Sequence, residues 1–186
     1  DFDGVIVDSI DECYSVSCET YYGRKVFPYD IGIYKELFYR YRGLVKPASE
    51  YHCLHKSIEE YLLKRTDNVN VIFHRNMNEF NRNEADIFEK KFFHTRLLHQ
   101  ENNFLAWIEM NPLTEFGQLL VGRENNDIYI VTTKNRGAVE SILKYYNISV
   151  EGIYANDEIK SAGSKGSLIS GIMDLKNEKK SMFLDD

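Results

Sequence analysis

The stretch Asp127-Ile-Tyr-Ile-Val-Thr132 decides the expected fold, because it has the β-rich, apolar composition of a short buried strand. Helical spacing follows it, with an apolar face formed by Ala138, Val139, Ile142, Leu143 and Tyr146. The pattern then repeats as a short strand over residues 150–154, a helix with an apolar face at Leu168, Ile169, Ile172 and Met173, and a closing strand, Lys180-Ser-Met-Phe-Leu184. Strands that alternate with helices predict an α/β fold with a parallel sheet covered by helices.

Residues 10–110 have a different pattern. They contain long, charged helical segments, such as residues 57–64 and 84–98, and no run of alternating strands. Asn111-Pro112 marks the return to the core, because proline disfavours helix in the residue before it and suits the first turn of the next helix. We therefore expect an α/β core formed by residues 1–9 and 111–186, with an all-helical insertion over residues 10–110.

The composition indicates a globular chain and excludes several classes of protein. The chain has 186 residues, and 43% of them are hydrophobic, enough apolar surface to offset the entropy lost on folding. Its net charge of -6 argues against binding along a nucleic-acid backbone. The sequence contains no run of about 18 apolar residues, so it predicts no membrane-spanning helix. Cys13, Cys18 and Cys53 are odd in number and lack metal-ligand spacing, so we expect reduced thiols in a cytoplasmic protein.

The chain begins with paired acids, in the stretch Asp1-Phe-Asp3-Gly4. Two carboxylates two residues apart, followed by glycine, place a flexible turn beside the acids, as an exit from a strand into a loop requires. A calcium-binding loop also contains such acids, but that interpretation fails because Val5 and Ser9 stand where further oxygen ligands are needed and Gly4 is misplaced.

Other polar groups follow the predicted strands farther along the chain. Thr132 and Thr133 place hydroxyls at the end of the first strand, and Asp185-Asp186 follow the last one. Lys165-Gly166 open a helix, where an ammonium and free backbone N–H groups can converge on an anion. In a parallel sheet such groups meet at the carboxyl edge, where ligands bind.

The order of these groups along the chain, acids, hydroxyls, lysine and acids, resembles that of the haloacid dehalogenase-like (HAD) superfamily of phosphatases and phosphomutases. The resemblance covers nearly the whole chain and rests on Asp1-Phe-Asp-Gly-Val-Ile-Val-Asp-Ser9, Val131-Thr-Thr-Lys-Asn135, Lys165-Gly166 and Phe183-Leu-Asp-Asp186. It implies a Rossmann-like, three-layer core and a helical cap like that of phosphoglycolate-phosphatase-like and β-phosphoglucomutase-like members. Gly166, where such members usually have proline, and the paired acids at the end depart from the pattern.

The resemblance also implies a mechanism. Asp1 would attack phosphorus to form an aspartyl-phosphate, and Asp3 would protonate the leaving oxygen and then deprotonate water. Thr132 would hydrogen-bond a phosphoryl oxygen and Lys165 would neutralise its charge. Strand register leaves Thr133 as the alternative to Thr132. Lys160 is the alternative to Lys165, because both lie in the polar segment before the helix.

A magnesium ion is the implied cofactor. Asp1, the backbone carbonyl of Asp3, and either Asp185 or Asp186 would hold it, which is the oxygen-rich donor set that Mg²⁺ prefers. A chain of net charge -6 needs such a local cation before an anionic nucleophile can approach a phosphate.

The expected function is therefore that of a Mg²⁺-dependent phosphatase that acts on a small phosphorylated metabolite. A phosphomutase acting on a sugar phosphate is the first alternative, and a phospho-receiver or a non-catalytic binding scaffold is an alternative of another class. The oligomeric state stays open. The core segments are short for a complete sheet, so we also expect the core to be incomplete at both ends, with an apolar strand before Asp1.

Overall fold

The computed structural model describes residues 1–23, 31–64, 68–124, 127–177 and 180–185. Within them the chain forms the strands β1 (Tyr129–Val131) and β2 (Gly152–Tyr154), two short 3-10 helices (Arg42–Leu44 and Ala48–Glu50), and the helices α1 (Ile10–Tyr22), α2 (Ile31–Tyr41), α3 (Tyr51–Lys64), α4 (Val69–Glu79), α5 (Arg82–Asn102), α6 (Phe104–Glu109), α7 (Glu115–Leu120), α8 (Arg136–Tyr145), α9 (Asn156–Ala162) and α10 (Lys165–Lys176). None of the helices in these ranges is both long enough and apolar enough to cross a membrane.

The chain divides into two compact units. Ile10–Trp107 form one, which we call the helical unit, and Asp1–Ser9 together with Ile108–Asp186 form the other, which we call the two-segment unit. The sequence places the boundary after residue 110, and the role of the helical unit as a cap stays a prediction.

The helical unit is built around an aromatic core. Its helices form because apolar side chains recur at helical spacing, as Tyr51, Leu54 and Ile58 do along α3. A capping box between Asn81 and Glu84 begins α5. The buried core of the unit consists of Cys13, Val16, Cys18, Tyr34, Leu37, Phe38, Val45, Tyr51, Cys53, Leu54, Ile58, Val69, Phe73, Phe88 and Phe92.

The two-segment unit contains a small parallel sheet and the helices that follow it. Strands β1 and β2 pair in parallel, with Ile130 opposite Ile153. Helix α8 connects them and buries four residues of the apolar face predicted from the sequence, Ala138, Val139, Ile142 and Leu143. Tyr146, the fifth, follows the helix as its C-cap and is partly buried. The two chain segments meet where Val7 bridges to Leu113 and the Asp8 amide donates to the Pro112 carbonyl at 2.9 Å.

The prediction of a three-layer, Rossmann-like α/β core is wrong. Helix makes up 68% of the described structure and strand only 5%, and the sheet that the described residues form has two strands of three residues each. The expected closing strand, residues 180–184, has no regular structure, and Met182 is 83% exposed. A strand requires a neighbour for its backbone hydrogen bonds, and an apolar run in the sequence carries no information about that neighbour.

Candidate active site

The paired acids lie on a tight turn formed by residues 1–7, which we call the acidic turn, rather than at the end of a strand. Gly4 adopts φ 77°, a left-handed conformation that glycine adopts without steric cost, and its amide donates to the Val7 carbonyl at 2.7 Å. The amides of Ile6 and Val7 both donate to the Phe2 carbonyl, at 2.8 and 3.1 Å. The Phe2 side chain is fully buried. The turn therefore fixes Asp1 and Asp3 on either side of an apolar anchor.

Asp1 is paired with the predicted lysine. Lys165 Nζ lies 2.5 Å from Asp1 Oδ2 and 3.5 Å from Asp185 Oδ1. Lys165 is the first residue of α10, which begins there because the Ser164 hydroxyl caps the helix by accepting from the Ser167 amide at 3.1 Å. One ammonium at a helix start thus holds two carboxylates that are far apart in sequence.

Asp3 is paired with a different lysine, Lys134, which is not among the site residues predicted from the sequence. Lys134 Nζ lies 2.9 Å from Asp3 Oδ1, and the Ser9 hydroxyl donates to the same oxygen at 2.6 Å. The Lys134 side chain is 0% exposed, whereas that of Asp3 is 17% exposed. Lys134 Nζ also lies 3.5 Å from the side-chain oxygen of Asn111, which is itself fully buried.

The two threonines differ in their surroundings. Thr132 is buried, its amide donates to the Tyr154 carbonyl at 2.9 Å, and its hydroxyl accepts from the Lys134 amide at 3.1 Å. Thr133 is partly exposed. Thr132 is therefore joined through Lys134 to Asp3, on the turn that directly follows β1.

Two predicted alternatives remain, Lys160 and Asp186. Lys160, the alternative to Lys165, is an exposed residue in the last turn of α9. Asp186, the alternative to Asp185 as a metal ligand, lies outside the described residues.

Lys134 had one weak signal in the sequence. It stands two residues after Thr132, in the turn that already carried the predicted hydroxyls. Lysine is almost always exposed, so nothing in one sequence indicates that this side chain is buried against an acid. For Asn111, the sequence indicates only that it precedes Pro112, and nothing in it indicates a place beside Lys134.

The donor chemistry of the site fits a magnesium ion. Asp1 and Asp185 converge on one ammonium, which shows that two carboxylates can reach a common cation here. Among the described residues, no group of three or more His, Cys, Asp or Glu side chains is arranged so that it could hold a metal ion. Mg²⁺ does not require one, because it is usually held by one or two carboxylates together with waters and phosphate oxygens.

Asp1 also lies in the wall of a cavity of about 1250 Å³ within the two-segment unit. Most of the other wall residues are apolar, among them Ile6, Phe116 and Ile130. A small molecule therefore has space to approach the Asp1 side of the turn.

Comparison of the chain with protein-family models, with curated proteins and with solved structures finds no match.

Proposed function

We propose that the protein is a Mg²⁺-dependent phosphatase that hydrolyses a small phosphorylated metabolite through an aspartyl-phosphate. The observation that carries the proposal is that two carboxylates on one turn are each paired with a separate lysine, Asp1 with Lys165 and Asp3 with Lys134. Phosphoryl transfer needs a nucleophile, a proton donor and positive charge near the phosphate, and this arrangement supplies all three. The resemblance to HAD enzymes points to the same chemistry.

In the first step, Asp1 acts as the nucleophile. A carboxylate oxygen of Asp1 forms a bond to phosphorus as the bond from phosphorus to the leaving oxygen breaks. Asp3 enters this step protonated on Oδ2, while its Oδ1 accepts from Lys134 and Ser9, and it donates that proton to the leaving oxygen. The products are an aspartyl-phosphate on Asp1 and a free alcohol. In the second step, Asp3 takes a proton from water, the water oxygen bonds to phosphorus, and the bond to Asp1 breaks. Inorganic phosphate leaves and both acids return to their starting states.

The remaining groups bind and neutralise the phosphoryl group. Lys165 already contacts an anionic oxygen of Asp1 at 2.5 Å, and its place at the start of α10 adds the partial positive charge of the helix N-terminus. The Thr132 hydroxyl donates to a phosphoryl oxygen, while its own oxygen accepts from the Lys134 amide. Thr133 stays the alternative hydroxyl.

Mg²⁺, when bound, supplies the positive charge that lets an anionic nucleophile approach a phosphate dianion. Asp1, the Asp3 backbone carbonyl and Asp185 would hold it, with Asp186 the alternative to Asp185.

The test is phosphate release from a panel of sugar, nucleotide and glycolate phosphates, with Mg²⁺ and with EDTA. We expect Asp1→Asn to lower the rate by at least about 10³-fold, because the nucleophile is lost. Asp11→Asn is the matched control, since it removes an exposed carboxylate of the helical unit that pairs with Lys35. Phosphate release that is unchanged in Asp1→Asn would contradict the mechanism.

We also propose that the protein works in the cytoplasm. Cys13, Cys18 and Cys53 are free and buried, and free thiols are usual in a reducing compartment. The net charge of -6 supports a small substrate rather than a nucleic acid.

A further inference from the structure

Lys134 is the most completely buried charged side chain near the candidate site. Its ammonium is withdrawn from water and lies 2.9 Å from Asp3 Oδ1. Removing an ammonium from water is costly unless a carboxylate and further hydrogen bonds replace the lost hydration. Burial of a lysine at this position therefore requires an explanation, and its contacts supply one.

The contacts of Lys134 connect three parts of the two-segment unit. Its amide donates to the Thr132 hydroxyl at 3.1 Å, which ties it to the turn after β1. Its ammonium lies 3.5 Å from Asn111 Oδ1, on the segment that precedes α7, and 2.9 Å from Asp3 on the acidic turn. A lysine side chain is normally flexible, but these contacts and the surrounding protein fix it in one arrangement.

We infer that Lys134 is a positioning residue for proton transfer: it holds the Asp3 carboxyl in the place from which the leaving oxygen is protonated. The inference rests on the proposed phosphatase function and adds to it a residue that does not itself touch the phosphate. Proton transfer depends steeply on the position of the donor, so a displaced Asp3 would slow this step even if its own chemistry were intact.

Leaving groups distinguish positioning from a merely structural role. An alkoxide leaves only with a proton, whereas p-nitrophenolate is stable enough to leave without one. The value of kcat/KM reports events up to the first irreversible step, which here is transfer of the phosphoryl group to Asp1. A loss of folded protein lowers kcat/KM equally for both kinds of substrate, so the ratio of the two values cancels it.

The experiment measures kcat/KM for glucose 6-phosphate, 2-phosphoglycolate and p-nitrophenyl phosphate in the wild type, Lys134→Met and Lys134→Gln. We expect the value for the better alkyl phosphate to fall by about 10²-fold, and that for p-nitrophenyl phosphate by less than about 10-fold. Lys134→Gln keeps a polar group at this position and replaces Lys134→Met if circular dichroism shows that the latter does not fold. Lys144→Met is the control, because Lys144 is an exposed residue of α8 in the same unit and does not line the cavity beside Asp1; it should change neither value.

The outcomes separate the two proposals. Equal losses for both kinds of substrate would mean that Lys134 is structural only, and would overturn the inference while the phosphatase proposal stands. A wild-type protein that hydrolyses neither these three phosphates nor any other member of the panel would overturn the proposed function, and this inference with it. A selective loss for the alkyl phosphate supports the positioning role.

Discussion

Each of the two units contains buried ionic groups, but the groups differ in kind. In the helical unit, Arg96 donates to both oxygens of Glu12, at 2.6 and 2.9 Å, and neither side chain is more than 4% exposed. The Trp107 indole donates to Glu12 as well, at 3.4 Å, and the guanidinium lies 4.7 Å from the centre of the Phe92 ring. A planar, two-point pair surrounded by aromatic rings is closed to a ligand.

In the two-segment unit the cations are lysines and the acids are partly exposed. Lys165 and Lys134 contact Asp1 and Asp3, whose side chains are 12% and 17% exposed. A lysine ammonium is a point charge that can exchange one anionic oxygen for another more readily than a guanidinium held at two points. The same combination of charges is therefore fully enclosed in one unit, whereas in the other the acids Asp1 and Asp3 stay partly exposed.

The largest effect should follow from breaking the closed pair. Glu12→Gln leaves Arg96 buried without its carboxylate, and we expect the helical unit to lose about 3–5 kcal/mol of unfolding free energy. Urea unfolding followed by fluorescence measures this loss, because Trp107 is the single tryptophan and is buried in this unit.

The matched control for this change is the neighbouring acid on the same helix. Asp11 pairs with Lys35 at 2.9 Å, but both side chains are about half exposed. Asp11→Asn should cost less than about 1 kcal/mol. Similar losses for the two variants would show that the Glu12–Arg96 pair is no more important than a surface pair.

A steric change should affect the other unit alone. A Cβ atom on Gly117 would overlap the Ile6 carbonyl oxygen, on the acidic turn, so the backbone would have to shift. We expect Gly117→Ala to destabilise the two-segment unit by about 1–3 kcal/mol. Amide hydrogen exchange should show faster opening at Ile130 and Ile142 and no change at Leu54.

Gly171→Ala is the control for this change. The added Cβ meets no atom within 4 Å, so the two-segment unit should instead gain about 0.5–1 kcal/mol of unfolding free energy.

Acid should weaken the helical unit through His55. This ring is fully buried, with Nδ1 2.6 Å from the Tyr34 hydroxyl and Nε2 2.9 Å from Ser17 Oγ. Burial, with a smaller contribution from His52, lowers the pKa of His55 to about 3, from an ordinary value of 6.5. Between pH 6.5 and 3, His55 is therefore protonated in the unfolded chain but neutral in the folded unit. Stability from this source is complete above pH 6.5 and is lost as the pH falls toward 3, by up to about 1.4 kcal/mol per pH unit.

Urea unfolding at a series of pH values checks this slope. His55→Gln should lower stability at neutral pH, because it replaces the partner of Tyr34, but should flatten the slope between pH 6.5 and 3. All five histidines of the chain belong to the helical unit. The unfolding free energy of the two-segment unit should therefore show no pH dependence that comes from histidine. An unchanged slope in His55→Gln would assign the acid sensitivity to other groups.

The smallest effect should come from two helix caps, one in each unit. Asn81 caps α5 and Ser164 caps α10, and replacing either with alanine should cost about 1 kcal/mol. The two variants should differ in phosphate release, because only Ser164 precedes Lys165, the residue that contacts Asp1. Hydrogen exchange of each helix measures the first effect. Equal phosphate release by the two variants would show that the start of α10 does not position the site.

The sequence indicated the helices better than the sheet. Apolar residues at helical spacing predicted α8 and α10, since a helix satisfies its own backbone hydrogen bonds and its pattern is local. The strand runs at 127–132 and 150–154 contain β1 and β2, but the run at 180–184 forms no strand. Strand formation depends on a partner that is distant in the chain, and this is why the α/β core was predicted wrongly.

For the site, the sequence selected residues by type and order, and the structure adds their partners. Asp1 and Lys165 were selected, and their 2.5 Å separation depends on how α10 packs against the acidic turn. Lys134 was not selected, because a buried ammonium is recognised only when the acid beside it is known. The catalytic roles of all these residues stay predictions until phosphate release is measured.

The buried ring of Phe2 fixes which of residues 1–3 face the protein interior and which face the candidate site. Asp1 and Asp3 lie at the candidate site, while the residue between them is enclosed by protein. Insertion or deletion of a single residue before Gly4 would force an acid into the apolar interior or a phenyl ring into the place of a carboxylate. A substitution at this turn should therefore weaken the candidate site by degrees, whereas the insertion or deletion of one residue should abolish it.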